Sequence, residues 1–202
     1  MSEQAARPSA RAGNVSDPVV FDLERPPAFK REHVLLRIAL LVVVGWIGHP
    51  LGLLWLGIPV VAAVLVAQKS GQRYLDENGP AVTRALNWIL DVTAYLALLT
   101  DRLPGPGEHP VRFEVERSGA PTTSSTLLRI LYVIPSLIVL AFLMLVGSIV
   151  WVVALVCVLV DERYPESFWR FLRGLLRWEA CALAYLASLH DRYPPFTLET
   201  GR

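Results

Sequence analysis

Residues 130–160 read ILYVIPSLIVLAFLMLVGSIVWVVALVCVLV, 31 positions without an Asp, Glu, Lys or Arg. A second run of the same length, 38–68, reads IALLVVVGWIGHPLGLLWLGIPVVAAVLVAQ and is equally free of charge. Around these runs the chain is 53% hydrophobic and 18% charged, with a mean hydropathy of +0.44. Soluble domains carry about 25% charged residues. The deficit excludes a disordered chain, a collagen-like repeat, a disulfide-stapled module and an ordinary soluble globule, and predicts an integral membrane protein. A net charge of +1 offers nucleic acid no concentrated basic face. The first 33 residues hold no apolar stretch that would serve as a signal peptide.

The two runs belong to two related units. Pro18-Val19-Val20-Phe21-Asp22-Leu23-Glu24-Arg25 returns as Pro110-Val111-Arg112-Phe113-Glu114-Val115-Glu116-Arg117, and Leu35-Leu36-Arg37-Ile38 as Leu127-Leu128-Arg129-Ile130. Beyond the apolar run the offset shortens from 92 to 90, and twelve of the 32 positions in 73–104 recur in 163–194. Those twelve include Trp88 with Trp178, and Asp101-Arg102 with Asp191-Arg192. Two merely apolar stretches do not align Trp, Tyr, Asp-Arg and Pro in one register, so the pattern predicts two tandem repeats.

Each unit opens on a strand with period-two alternation (Val19, Phe21, Leu23; then Val111, Phe113, Val115). The apolar run follows. A span needs about 20 residues, so 34–68 and 127–160 are long for one crossing and slightly short for two. Gly48-His49-Pro50 supplies a breaker near the middle of the first run. A transmembrane helical hairpin in each unit keeps Lys30, Arg31, Lys69, Arg73, Arg117, Arg163, Arg170 and Arg173 on one side, as the positive-inside rule asks. The competing arrangement, an interfacial piece 127–134 followed by one tilted span 136–160, exports Arg163, Arg170 and Arg173. Each unit closes with an amphipathic helix, 80–100 and 167–190, whose polar stripe suits the headgroup plane, the alternative being a further span with that stripe turned inward. The expected fold is therefore mainly α and integral to the membrane, with two tandem repeats. Each is a short β-strand, a transmembrane hairpin and an interfacial helix, and a pseudo-two-fold along the membrane normal relates them. The boundaries are a disordered tail 1–17, repeat 1 at 18–104, linker and strand 105–126, the remainder of repeat 2 at 127–196, and a tail 197–202. The two strands, lacking other partners, are expected to pair antiparallel.

Chemistry is sparse. Arg37 and Arg129, one turn inside each apolar run, either snorkel to the interface or bind lipid phosphate. Arg170, Arg173 and Arg177 line one helix at helical spacing and complete the expected set of headgroup contacts. The tryptophans suit interfacial anchoring. Cys157 and Cys181 sit in apolar helical context as packing residues, with no metal-ligand spacing around them. Asp101 and Asp191 fit helix ends and turns. Neither apolar run holds the ionisable residue that a pump places near the midplane. The expectation is a protein without enzymatic activity and without cofactor or metal. It would act as a scaffold or accessory subunit that organises or shapes the inner (plasma) membrane, both termini cytoplasmic. Its partners would be membrane lipids and a homo-oligomer or larger membrane complex. The alternative is a component of a small transporter or channel whose path forms on oligomerisation.

The second unit resembles an uncharacterised family of bacterial membrane proteins known as a domain of unknown function. The residues carrying this are Pro110-Val111-Arg112-Phe113, Tyr132–Leu140 with its Ile134-Pro135, Glu162-Arg163-Tyr164-Pro165, Leu176-Arg177-Trp178 and Asp191–Phe196. The first unit is similar to a degraded copy, with Arg73-Tyr74-Leu75 in place of Arg-Tyr-Pro. The resemblance implies a multi-pass membrane protein and no particular activity. The expected layout is also similar to that of eukaryotic reticulon-type membrane-shaping proteins.

Overall fold

In a computed structural model the chain is mostly helical, with one small sheet. The structure describes residues 18–26, 29, 31–105 and 109–198, with the backbone alone at 31, 32, 35, 41–54 and 56. The tail expected at 1–17, Lys30 and the side chains of Trp46 and His49 lie outside the described residues.

Strand β1 is Val19–Leu23 and β2 is Val111–Val115. They pair antiparallel, as expected from their patterns, with Phe21 opposite Phe113 and Val19 opposite Val115. Alternate side chains of both strands are buried, so the sheet has a covered apolar face and an open face carrying Asp22, Arg112 and Glu114. Two strands alone are marginal in water; helix packing on one face is what holds them.

Each apolar run forms a single helix, not a hairpin. Helix α1 covers Arg31–Lys69 and α4 covers Thr123–Asp161, 39 residues each. The backbone stays helical through residues 48–50, and α4 continues past Pro135 and Gly147. An interior proline removes one N–H but does not free its neighbours from their bonds. In apolar surroundings, opening a helix exposes backbone groups that have no water to turn to. Continuity is the cheaper state. Nor does 127–134 separate as an interfacial piece. The polar stretch before the second run starts α4: Thr122 Oγ1 accepts from the Ser125 N–H at 3.2 Å and Ser125 Oγ accepts from the Thr122 N–H at 2.9 Å.

Between α1 and β2 the chain doubles back through α2 (Gly71–Arg73), a π-helical segment (Tyr74–Asn78) and α3 (Gly79–Leu96). After α4 it returns through α5 (Glu166–Leu186). The long helices run antiparallel. Trp55 and Ile58 of α1 pack in one cluster with Val133 and Leu137 of α4. Gly71, just past the end of α1, meets Pro121 ahead of α4, and Phe29, ahead of α1, stacks 5.0 Å from Tyr164 beyond α4. Two upright hairpins starting side by side would not give this order.

The core forms in layers. The sheet packs on α3 and α5, and α1 and α4 lie against those helices away from the sheet. Helix α5 is the centre of the molecule, buried almost continuously from Leu175 to His190. The headgroup-plane position expected for 167–190 is therefore corrected: sheet and long helices occupy both sides of it. From Leu175 onward its apolar arc meets protein rather than an open surface. Helix α3 keeps an open flank with Arg84 and Trp88 exposed. The tryptophans are also not simply anchors. Trp151 Nε1 donates to Leu96 O at 3.0 Å, Trp169 Nε1 to Leu99 O at 3.1 Å, and Trp178 Nε1 to Ser136 Oγ at 2.9 Å.

The helix ends are built alike. Leu98 and Ser188 both take the left-handed conformation, at φ 62° and 54°. Around them Ala97, Leu98 and Leu99 donate to Thr93, Tyr95 and Ala94; Ala187, Ser188 and Leu189 donate to Leu183, Tyr185 and Ala184. The Leu99–Ala94 and Leu189–Ala184 bonds are the six-to-one bonds of a Schellman ending.

The turn at Gly71 gives a direct test of this packing. A Cβ there would fall within bonding distance of the Pro121 backbone, which has no flexible side chain to move aside. Gly71→Ala should lower stability by about 1–3 kcal/mol. Gly57→Ala, with nothing within 4 Å of the new methyl, should raise it by about 0.5–1 kcal/mol through helix propensity. Unfolding midpoints of the two variants check both signs.

Candidate functional site

The chemistry expected at Arg37 and Arg129 faces inward. Arg37 is fully buried: its Nη2 donates to Thr100 O and to Asp101 Oδ1, the latter at 2.7 Å, and its guanidinium lies 4.5 Å from the Tyr95 ring centroid. Arg129 repeats the arrangement with Tyr185, His190 and Asp191. It donates to the carbonyls of Tyr185 and His190 and to Asp191 Oδ1, with the Tyr185 ring 4.9 Å away. Each arginine thus holds the end of the returning helix against the start of a long one. Headgroup contact by these two residues is replaced by an internal clamp. A planar guanidinium can bond a carbonyl and a carboxylate while stacking on a ring, which an ammonium cannot.

The three α5 arginines separate. Arg177 is buried. Arg173 reaches across to Asp22 Oδ1 of β1 at 2.9 Å and lies 5.5 Å from the Trp169 ring. Arg170 stays in the open, 3.8 Å from Glu166 one turn away. Only Arg170 keeps the exposure that a headgroup contact requires, so the expected stripe is dispersed over three environments.

A polar cleft of about 550 Å³ opens where the Leu23/Val111 end of the sheet meets the start of α1 and the end of α3. Its walls include Asp22, Glu24, Arg25, His33, Asp101, Arg102, His109 and Arg112, acids and bases in near balance. His33 Nδ1 lies 3.1 Å from Tyr95 Oη, behind the Arg37 clamp. At the rim, the fully buried Asp91 accepts from the Val111 N–H at 2.9 Å, and its other oxygen is 2.7 Å from His109 Nδ1. Asp91 therefore ties α3 to the first residue of β2. Among the described residues no group of three His, Cys, Asp or Glu gathers to hold a metal ion.

A second cavity, about 220 Å³, lies between α3, α4 and α5 and has Glu179 in its wall. Glu179 is a residue the sequence reading passed over. Position 89, its counterpart 90 residues earlier, is Ile, and the charge-free stretches that drew attention end before α5. Asp91 reads with Arg84 and Asn87 as part of the polar stripe of 80–100, but it is buried; Cys181 at its counterpart gives no sign of that. Tyr95 and Tyr185 do recur at that offset, and that recurrence was the available signal for the clamps.

Two strands packed on a helix pair backed by two long apolar helices define the class of protein. Residues 123–197 match the family model of a domain of unknown function, DUF4389. The matched segment is α4, α5 and the Asp191–Pro195 ending, the elements joined by the Arg129 clamp. No curated protein and no solved structure matches the chain.

Proposed function

We propose that the protein is a non-enzymatic scaffold or accessory subunit of the bacterial inner membrane, made of two tandem strand–long helix–short helix units. It lies flat against the cytoplasmic leaflet with the α1–α4 layer immersed. The observation that carries this reading is the contrast between two faces. Among the described residues α4 is the helix long and apolar enough to cross a membrane, and its outward surface is apolar from Leu127 to Val160. The sheet, on the other side of the α3–α5 layer, presents Asp22, Arg112 and Glu114 with side chains more than half exposed.

Two distances favour a flat seat over an upright one. The run from Leu127 to Val160 is about 50 Å long, well beyond the roughly 30 Å of a hydrocarbon core. The charged face is also level with the middle of that run. Asp22 bonds Arg173, and the neighbouring Leu172 and Leu175 close on Gly147 of α4. An upright α4 would bring exposed Asp22, Arg112 and Glu114 to the bilayer centre, at about 2.5–3.5 kcal/mol or more each. A flat seat leaves them in water. It also leaves the N-terminus, the 73–125 connection and the C-terminus on one side.

Single cysteines at Ser124 and Asp161, in a chain with Cys157 and Cys181 replaced by alanine, test this seat. Both sites should react with a membrane-impermeant maleimide only after the cell envelope is opened. Labelling of one of them in intact cells would mean that α4 crosses. Release of the chain by carbonate would remove the membrane reading altogether.

A second reading, a subunit of a transporter or channel completed on oligomerisation, draws on Arg177 and Glu179 inside the bundle. Purification from native membranes separates the two. A stoichiometric partner with transport activity favours the second, and tubulation of liposomes by the pure chain favours shaping of the bilayer.

A further inference from the structure

We propose that the cavity between α3, α4 and α5 is a binding site for a hydrophobic amine, with Glu179 as the counter-ion of its ammonium group. Glu179 is 93% buried by the 7% exposure that remains to it, and its Oε2 has no hydrogen-bond partner. A buried carboxyl in that position is costly unless something meets it.

The cavity offers nothing of its own. Thr93 Oγ1 donates to Ile89 O at 2.9 Å, Ser148 Oγ to Leu145 O at 2.7 Å, and Trp151 Nε1 to Leu96 O at 3.0 Å. The donors that could turn toward Glu179 are engaged with backbone carbonyls, and the rest of the wall, with Met144 and Gly147, is apolar. At about 220 Å³ the space is below the usual drug-sized pocket and of the scale of a short alkyl segment.

The donor set decides the ligand class. A hard metal ion asks for six or more oxygens, and Glu179 is the one carboxylate in the wall. An anion would face a carboxyl with no cation lining the cavity. An alkylammonium supplies N–H donors and the opposite charge at one end and carbon for the remaining wall, and a charge-assisted bond is the strongest available to a buried carboxylate. Met144 and Ser148 at the mouth are exposed on the outer side of α4, so the ligand enters from the apolar flank of the molecule and not from the polar cleft.

The test uses the purified full-length chain in detergent, so it does not depend on how the protein sits in a membrane. Two photoactivatable probes with one alkyl-diazirine chain are compared, one ending in a primary amine and the other in an alcohol. The amine should label the peptide containing Met144–Trp151 at concentrations about tenfold or more below the alcohol, as expected for a hydrogen bond to a charged group. Glu179→Gln, nearly isosteric, should bring the two probes to equal labelling. Equal labelling of the unaltered chain, labelling of other peptides instead, or a preference that survives Glu179→Gln would each overturn the proposal.

Discussion

Arg37→Ala should lower the stability of the protein by about 3–5 kcal/mol, the range for removing one partner of a buried ion pair. The substitution takes away a cation bonded to Asp101, the donor to Thr100 O and the group stacked on Tyr95. Asp101 keeps only 15% of its side chain exposed, so water replaces little of what is lost. Arg37→Lys should recover only part of the loss, because an ammonium can bond both acceptors from one nitrogen, as Nη2 does, but cannot lay a planar face on the Tyr95 ring. Arg129→Ala makes the informative comparison. Asp191 is 57% exposed and can be rehydrated, so a smaller loss of about 1.5–3 kcal/mol is expected. Equilibrium unfolding in one detergent ranks the three variants. An Arg37→Ala protein as stable as the parent would show that the clamp contributes nothing.

On the proposed flat seat, Leu145→Arg combined with Ile149→Arg should release the protein from membranes without unfolding it. Both side chains are nearly two-thirds exposed on α4, so neither supports the core. An arginine on an immersed helix centre costs about 2.5–3.5 kcal/mol. Two of them correspond to a fall in partitioning of roughly a thousandfold or more. Flotation with liposomes measures the change. Val20→Arg, on the open face of the sheet, should float like the parent chain. If Val20→Arg releases the protein and the double α4 variant does not, the immersed face has been assigned to the wrong side.

The strands were legible because alternation is local. Val19, Phe21 and Leu23 declare one face by themselves, and their counterparts 92 residues on supply the partner. The apolar runs were legible as helices but not as to number. Gly48-His49-Pro50 carries a local bias toward a break, and the backbone nevertheless stays helical through it. The amphipathic pattern of 167–190 was equally visible and equally incomplete. An apolar arc states that it will be covered, but not whether lipid or protein will cover it. The same holds for Arg37, whose place one turn inside an apolar run fits snorkelling as well as it fits a clamp.

By itself, then, the sequence determined the mainly helical character, the two edge-sharing strands and the recurrence of Arg37 with Arg129 and of Asp101 with Asp191. These rest on periodicity and on residue type, which act within a few turns of chain. Only the tertiary structure decided that α1 and α4 run as unbroken antiparallel helices, that α5 forms the centre, and that Arg37 and Arg129 close on the segments that end α3 and α5. It alone placed Glu179 against an apolar cavity. Those outcomes turn on which surface reaches an arc or a charge first, and the competing surfaces lie far apart along the chain, as Arg37 and Asp101 or Arg129 and Asp191 do.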